Sequence, residues 1–503
     1  MKSIPALLLL VLSFYGCAQS QSPGVFENHS DIGNPKKNGA VHYDAESQSY
    51  TLSGGGYNIW FGRDEFHYLY SKIKGDFILT ANFQFIGGGT EPHRKIGWML
   101  RGSLSDNATH VSAVVHGDGL TVLQWRELPG ALMRDPEDQI VFSKKNLQVL
   151  QLERRGTLVT MRVANWGEPL QTIGSHELKL PDEIFAGLFI CSHNPDVVEQ
   201  AKVWNVRIEK TVADNYNGYS QPELNSKLEI INVSDGTRKV IHQSDKRLEA
   251  PNWMPDGKKL LFNAGGSLFT IPVAGGAPEK INTDFANRNN NDHGISFDGK
   301  WLAISHHREG LPGGGSTIYV VPLQGGTPKE ITEKTPSYWH GWSPNNSDIV
   351  FVAQRGSSFY DLYKTSIHGG PEIKLTNNTS AHVDGPEYSP DGKTIYFNAS
   401  FSGTMQLWRM KGDGSSQEQI TFDEYNNWFP HFSPDGKWIL FMSFPPDVQP
   451  NDHPFYKRVM LRLMPASGGA PKVIAYLYGG QGTINVPSWS PDGKFVAFVS
   501  NTN

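Results

Sequence analysis

Tyr388-Ser389-Pro390-Asp391-Gly392-Lys393 runs directly into Thr394-Ile395-Tyr396-Phe397, and this stretch decides the fold. Pro pre-sets φ for a turn, Gly supplies positive φ, and the β-branched and aromatic run that follows favours a strand. The same unit occurs six times. The other copies are Trp253-Met254-Pro255-Asp256-Gly257-Lys258, Phe297-Asp298-Gly299-Lys300, Trp342-Ser343-Pro344-Asn345-Asn346, Phe432-Ser433-Pro434-Asp435-Gly436-Lys437 and Trp489-Ser490-Pro491-Asp492-Gly493-Lys494. Taken at Asp256, Asp298, Asn345, Asp391, Asp435 and Asp492, the spacings are 42, 47, 46, 44 and 57 residues. Between these turns lies a second cassette, Leu268–Ile281, Ile318–Ile331, Leu362–Leu375, Leu407–Ile420 and Leu461–Ile474, with Gly276, Gly326, Gly370, Gly414 and Gly469 at one shared position. Gly-Gly or Asp-Gly between apolar runs marks a hairpin. Two hairpins per period give four strands, the signature of a propeller blade.

The phase of the repeat predicts how the ring closes. A sixth cassette, Leu228–Ile241 with Asp235-Gly236, precedes the first Pro-Asp-Gly turn, while the last turn is followed only by Phe495–Ser500 and three residues. The N-terminal cassette therefore supplies the outer strands of the blade that the C-terminus begins, which removes free sheet edges. The reading is an all-β chain with a six-bladed β-propeller over 226–503.

This aromatic-Ser-Pro-Asp-Gly-Lys repeat resembles that of the TolB-like six-bladed propellers, with Asp298 lacking the preceding Pro and Asn345-Asn346 replacing Asp-Gly. The resemblance is specific for fold and weak for function. It implies an exported, envelope-associated protein, a binding or scaffolding module of the Tol-type biopolymer transport kind.

Composition narrows the rest. Among 503 residues, 45 Lys and Arg face 50 Asp and Glu, and no basic run appears, so no nucleic-acid partner is expected. Two cysteines exclude a disulfide scaffold, and 52 Gly with 32 Pro favour a turn-rich β protein. Lys2 followed by the apolar stretch Ile4–Tyr15 and Gly16-Cys17-Ala18 reads as an export signal over 1–18. Gly16-Cys17 resembles the end of a lipobox, which would make Cys17 a lipidated N-terminus; cleavage after Ala18 is the alternative. Either route places the protein in the periplasm or cell envelope, and the lipobox route gives it a membrane contact through a lipid anchor at Cys17. Cys191, inside Leu188-Phe189-Ile190, reads as a buried small apolar residue.

Residues 24–210 show no such repeat. Strand candidates Phe77–Phe85, His110–Val115, Leu120–Trp125, Val149–Leu152, Leu158–Val163 and Ala201–Ile208 alternate with Gly, Asp and Asn turns. Ile96-Gly97-Trp98-Met99-Leu100-Arg101, Leu152-Glu153-Arg154-Arg155-Gly156 and Ala186-Gly187-Leu188-Phe189 resemble concanavalin A-like jelly-roll sandwiches, a resemblance that implies either glycan binding or support of a neighbouring domain. Residues 211–225, rich in Asn, Tyr, Gly and Pro, read as a linker.

Candidate chemistry sits just upstream of the Pro-Asp-Gly turns, where each innermost strand should face the propeller axis. Asn291-Asp292-His293-Gly294, Tyr338-Trp339-His340-Gly341, His382-Val383-Asp384-Gly385-Pro386-Glu387 and Asn427-Trp428-Phe429-Pro430-His431 are unusually polar or aromatic there, and Gln481 adds an amide from the last blade. His293 and His340 hold the same aligned position. Three readings stay open. His293, His340 and His431 would supply imidazoles to a divalent metal, the one cofactor considered, with oxygens from Asp384, Glu387 or Gln481. A His with Asp384 or Glu387 would serve acid–base chemistry on a sugar, as in a polysaccharide lyase or glycoside hydrolase. Alternatively these side chains satisfy backbone groups and hydrate the channel. Trp339 and Trp428 break the repeat pattern and would stack on a sugar ring or peptide. Two partner classes follow, an envelope protein or an oligo- or polysaccharide. The excursion Phe444–Lys457 accounts for the long last spacing and reads as a surface loop able to lid one face.

Overall fold

The computed structural model describes residues 23–503; the export segment and Cys17 read from the sequence lie outside them. Among the described residues every regular element is a strand except one 3-10 turn at Pro312–Gly315. Five four-stranded antiparallel sheets follow one another along the chain, with innermost strands Leu248–Trp253, Asn289–Ile295, Ser337–Trp342, Val383–Tyr388 and Asn426–Phe432; these are blades one to five. The sixth closes the ring. Phe495–Thr502 pairs antiparallel with Asn225–Asn232, from Asn225↔Thr502 to Asn232↔Phe495, and Asn225–Asn232 pairs in turn with Arg238–Ser244. Its innermost place is taken by the chain around Ser488 and Trp489, bridged to Val496 and held by the Ala497 N–H donating to the Ser488 carbonyl at 2.8 Å.

The turn chemistry explains the repeat. In blades two to six the Ser hydroxyl donates to the Asp or Asn carboxyl or amide oxygen two residues on, each at 2.7 Å. That oxygen accepts the N–H two residues further along, as at Lys393 and Lys437, both 3.1 Å. The Gly adopts φ between +68° and +71°, and a Cβ there would meet the Pro of the preceding blade: Gly299 on Pro255 at 3.1 Å, Gly392 on Pro344 at 3.5 Å, and Gly257 on Pro491 at 3.9 Å, which carries the contact across the closure. The two departures from the repeat face each other. Blade two lacks its Pro and blade three lacks its Gly, and there the Asp298 N–H donates to Asn346 Oδ1 at 3.3 Å. Asn346 takes φ +59°, a conformation Asn tolerates better than most side chains.

Blades stack face to face, so their middle strands are buried on both sides and read as continuous apolar runs. Ile395 to Ala399 are all buried. Burying a side chain such as Phe397 stabilises by about 1.5–3 kcal/mol. The recurrent Trp adds direction: Trp342 Nε1 donates to the Gly294 carbonyl at 2.9 Å and Trp489 Nε1 to the His431 carbonyl at 3.1 Å, each reaching from one blade to the one before.

Two seven-stranded antiparallel sheets precede the propeller and pack as a sandwich. Phe66–Lys74 and Glu183–Cys191 lie in one, Phe77–Ile86 and Glu199–Lys210 in the other, around Leu79, Trp98, Leu100 and Leu188. Cys191 is fully buried there, and burial pushes its thiol up to about 11. Residues 211–224 are not a free tether: Val212 and Tyr216 pack on Leu224, Phe455, Tyr456 and Tyr478.

The sandwich is fastened to blades five and six. Glu229, fully buried in Asn225–Asn232, accepts from Arg207 of the sandwich (Nε 3.1 Å), from Arg238 of the propeller (Nη2 2.8 Å) and from Ser500 (2.5 Å). Gln48 of the sandwich pairs with Val240 in both directions, at 3.0 and 2.9 Å, and Glu153 receives Arg458 at 2.6 Å. Burial alone would raise the Glu229 carboxyl, but Arg207 and Arg238 outweigh it and hold it far below its ordinary value.

A carboxyl depressed in the folded state stabilises fully above its unfolded pKa, about 4.3, and that contribution is lost as pH falls through the folded value. Glu229→Gln should therefore cost about 3–5 kcal/mol at neutral pH by leaving buried guanidiniums unpaired, and flatten the acid limb of denaturant unfolding below about pH 4.3; an unchanged acid limb would count against this assignment. At the turn, Asn346→Ala should cost about 1–2 kcal/mol, and Asn346→Gly clearly less, in the same assay. Equal losses would mean that the hydrogen bond to Asp298, not the backbone conformation, sets the cost.

Candidate functional site at the propeller axis

The innermost strands of blades one to five each carry an irregularity. Register with the second strand shifts between Glu249 and Asn252, Asn289 and His293, Trp339 and Gly341, Asp384 and Glu387, and Trp428 and His431. In three blades the bulge holds a residue at positive φ followed by Pro: Ala250 (+54°), Gly385 (+60°) and Phe429 (+57°). A bulge swings its side chains away from the sheet's alternation, and here it lets side chains of neighbouring blades meet, as Asp384 meets His340. These bulges lie toward the end of the propeller opposite the Pro-Asp-Gly turns.

Asp384 is the hub of what converges there. Its Oδ1 accepts the Gly385 N–H at 2.8 Å and His340 Nε2 at 3.0 Å. Its Oδ2 faces His382 Nε2 and His453 Nε2, each at 3.6 Å. Burial alone would raise the Asp384 carboxyl, yet His340 beside it holds it well below the carboxylate range. Burial alone would likewise lower His340, and Asp384 outweighs it and raises the imidazole. Asp292 is pushed up to about 7 by burial, with His340 opposing and Asp384 and Glu249 adding to the rise. Glu249 is itself raised, chiefly by burial. Tyr338, Tyr360 and His382 are half-buried at the rim, with the tyrosine rings 6.1 Å apart.

The residues singled out from the sequence divide into groups. Asp292, His340, His382 and Asp384 form this polar cluster. Glu387 and His431 form a separate clamp: His431 Nδ1 lies 2.6 Å from Glu387 Oε2, Nε2 donates to the Ile484 carbonyl at 2.6 Å, and the Phe432 N–H donates to Glu387 Oε1 at 3.0 Å. Both nitrogens of His431 are thus occupied in tying blades four and five to the segment that begins blade six. His293 is fully buried, with the backbone of Ala250 and Asn291 as the polar groups beside its ring. The trio His293, His340 and His431 therefore does not present its donors to one point. Among the described residues, the His, Cys, Asp and Glu side chains that do are His382, Asp384 and His453, with one atom from each within 4.8 Å of the others.

Trp339 and Trp428 are 1% and 0% exposed, so neither offers a ring face to a ligand. Trp339 fills the space over Gly294, where a Cβ would sit 1.9 Å from its Cη2. Trp428 backs His382 and His453, at ring-centroid distances of 5.5 and 4.5 Å. Gln481, half-buried, accepts from Asn485 Nδ2 at 3.1 Å, and its N–H donates to the Pro454 carbonyl at 3.2 Å. Sequence reasoning passed over Glu249 and His453. The Pro that follows Ala250 just as Pro follows Gly385 and Phe429 was the available signal for Glu249. His453 sits in the excursion between Phe444 and Lys457, and only the return of that loop to the axis reveals it.

The fold and this axial geometry define a closed six-bladed propeller of the Pro-Asp-Gly repeat class, and comparison with known proteins gives the family. Residues 314–447 match the TolB beta propeller domain family, PD40. Over 277 residues, 55% of this chain, it is 47% identical to an uncharacterised protein of Agrobacterium fabrum, 92% of which is covered. A solved TolB-like structure from Agrobacterium tumefaciens shares 45% identity over 56% of this chain and 99% of its own, with a TM-score of 0.53. The chain belongs to the TolB-like β-propeller family. It is also 28% identical over 227 residues to the Tol-Pal system protein TolB of Francisella tularensis, covering 42% of this chain and only half of that relative.

Burial pushes the His293 imidazole down to about 3. A histidine lowered in the folded state binds its proton only on unfolding, so its stabilisation is complete above about pH 6.5 and erodes as pH falls toward the folded value. His293→Gln should reduce the pH slope of unfolding free energy between 6 and 4 by up to about 1.4 kcal/mol per pH unit. An unaltered slope would show that the ring is already protonated in the folded protein.

Proposed function

We propose that this protein is an exported cell-envelope binding module whose propeller engages a protein partner at the axial mouth. The observation that carries the reading is the convergence of Glu249, Asp292 and Asp384, beside half-buried Tyr338 and Tyr360, at one end of a ring of this family. Carboxyls gathered in a desolvated site, Asp384 matched by His340 at 3.0 Å and Glu249 by Arg247 at 3.5 Å, offer acceptors to an incoming hydrogen-bond-donating segment. Tyrosines with one apolar body and one polar tip suit a peptide surface. The relationship to a Tol-Pal system protein supports a partner within the envelope. The apolar N-terminal segment supports export, with Cys17 as the candidate lipid attachment point. The sandwich, locked to blade six through Glu229, would hold the propeller at a fixed distance from whatever anchors the N-terminus.

Chemical cross-linking in envelope extract, followed by affinity recovery of the chain, tests this. A specific protein should be recovered with wild type and at least tenfold less with the Asp292→Asn, Tyr360→Ala double variant. Phe297→Ala, exposed at the opposite end of the ring, should leave recovery unchanged. Recovery indifferent to the mouth variant would contradict the reading, as would cleavage of a polysaccharide panel with no protein recovered.

A further inference from the structure

We propose that His382, Asp384 and His453 bind a divalent first-row transition metal ion, with Zn2+ as the fitting probe, and that this ion fastens the 445–456 loop to the mouth of the propeller. The inference does not rest on partner binding.

Three observations carry it. The first is spacing. Both imidazole Nε2 atoms lie 3.6 Å from Asp384 Oδ2. Ligands about 2.1 Å from a tetrahedral ion stand about 3.4 Å apart, so small side-chain shifts would seat one, and 3.6 Å is too long for a hydrogen bond. The second is an unmet need: His382 Nε2 is buried without any hydrogen-bond partner. His382 Nε2 is the atom that faces the carboxylate, and an ion there would satisfy it. The third is preparation of the carboxylate. Asp384 Oδ1 is taken by the Gly385 N–H and His340 Nε2, which fixes the group and leaves Oδ2 toward the other two imidazoles. Carboxylate ligands in metal sites are oriented by hydrogen bonds of this kind. Trp428 adds rigidity, since both rings pack against its indole.

The donor set selects the ion class. Two nitrogens and one oxygen suit Zn2+ and its first-row neighbours better than Ca2+ or Mg2+, which prefer oxygen-only sites. Three protein donors leave a coordination position for water or a ligand. The ligands come from two segments: His382 and Asp384 from the entry to blade four, and His453 from the excursion within blade five. Metal would therefore set whether the loop lies over the mouth.

The test uses the full purified chain, free of any affinity tag, stripped with chelator and dialysed against trace Zn2+. About one equivalent should be retained, against less than a tenth in His382→Gln and in His453→Gln, each checked for folding by circular dichroism. His368→Gln, exposed and remote, should retain the full amount. Zn2+ should slow amide exchange in residues 447–453 at least tenfold in wild type and leave it unchanged in His453→Gln. Because the two histidines lie on separate segments, one misfolded variant leaves the other to decide. Absence of stoichiometric metal from the wild-type chain with Zn2+, Co2+, Ni2+ or Mn2+, or full retention by a folded variant, would overturn the proposal.

Discussion

The pairing of Asn225–Asn232 with Phe495–Thr502 is the constraint on which the rest depends. Eight residue pairs join the two ends of the propeller sequence and turn an open stack of blades into a ring. Without that closure blade six would lack its outer strands, and the inner strands would have no common axis. The same strand carries Glu229, so the ladder that closes the ring also anchors the sandwich through Arg207. Topology and domain arrangement thus share one buried carboxylate.

Closure gives meaning to a second, smaller device. The inner strands of blades one to five bulge away from the Pro-Asp-Gly turns, and a bulge in an isolated sheet would only disrupt pairing. In a ring the displaced side chains of neighbouring blades can meet. Asp384 reaches His340 across a blade boundary, and Glu387 reaches His431 across the next, so one pair of neighbouring blades builds a polar mouth and another builds a structural clamp from the same residue types.

How much of this was legible in the sequence follows from the range of each interaction. The turns, the six blades and the closure are written locally: Ser-x-Asp and Gly at positive φ leave their mark wherever they occur, and the leading cassette Leu228–Ile241 is visible as an orphan. The pairing of the two irregular turns at Asp298 and Asn346 was equally visible as two departures, though only the ring shows that they touch. The axial site was legible as a region and not as a constellation. His293 and His340 share an aligned position, but their strands bulge at different residues, so equal offset does not give equal direction. Trp339 breaks the repeat because Gly294 in the neighbouring blade leaves room for it, a compensation between blades that one repeat cannot display. His453 lies in an irregular loop, where no periodicity predicts which way a side chain turns.

Hydrogen–deuterium exchange of the intact chain tests the central claim most directly. If closure holds the ring and the sandwich together, the amides of Leu228–Ile231 and Val496–Val499 will exchange as one group, as slowly as the middle strand Ile395–Phe397. Fast exchange of Leu228–Ile231, at the rate of residues 213–220, would show an open ring with its first strand behaving as a linker, and the account would fail.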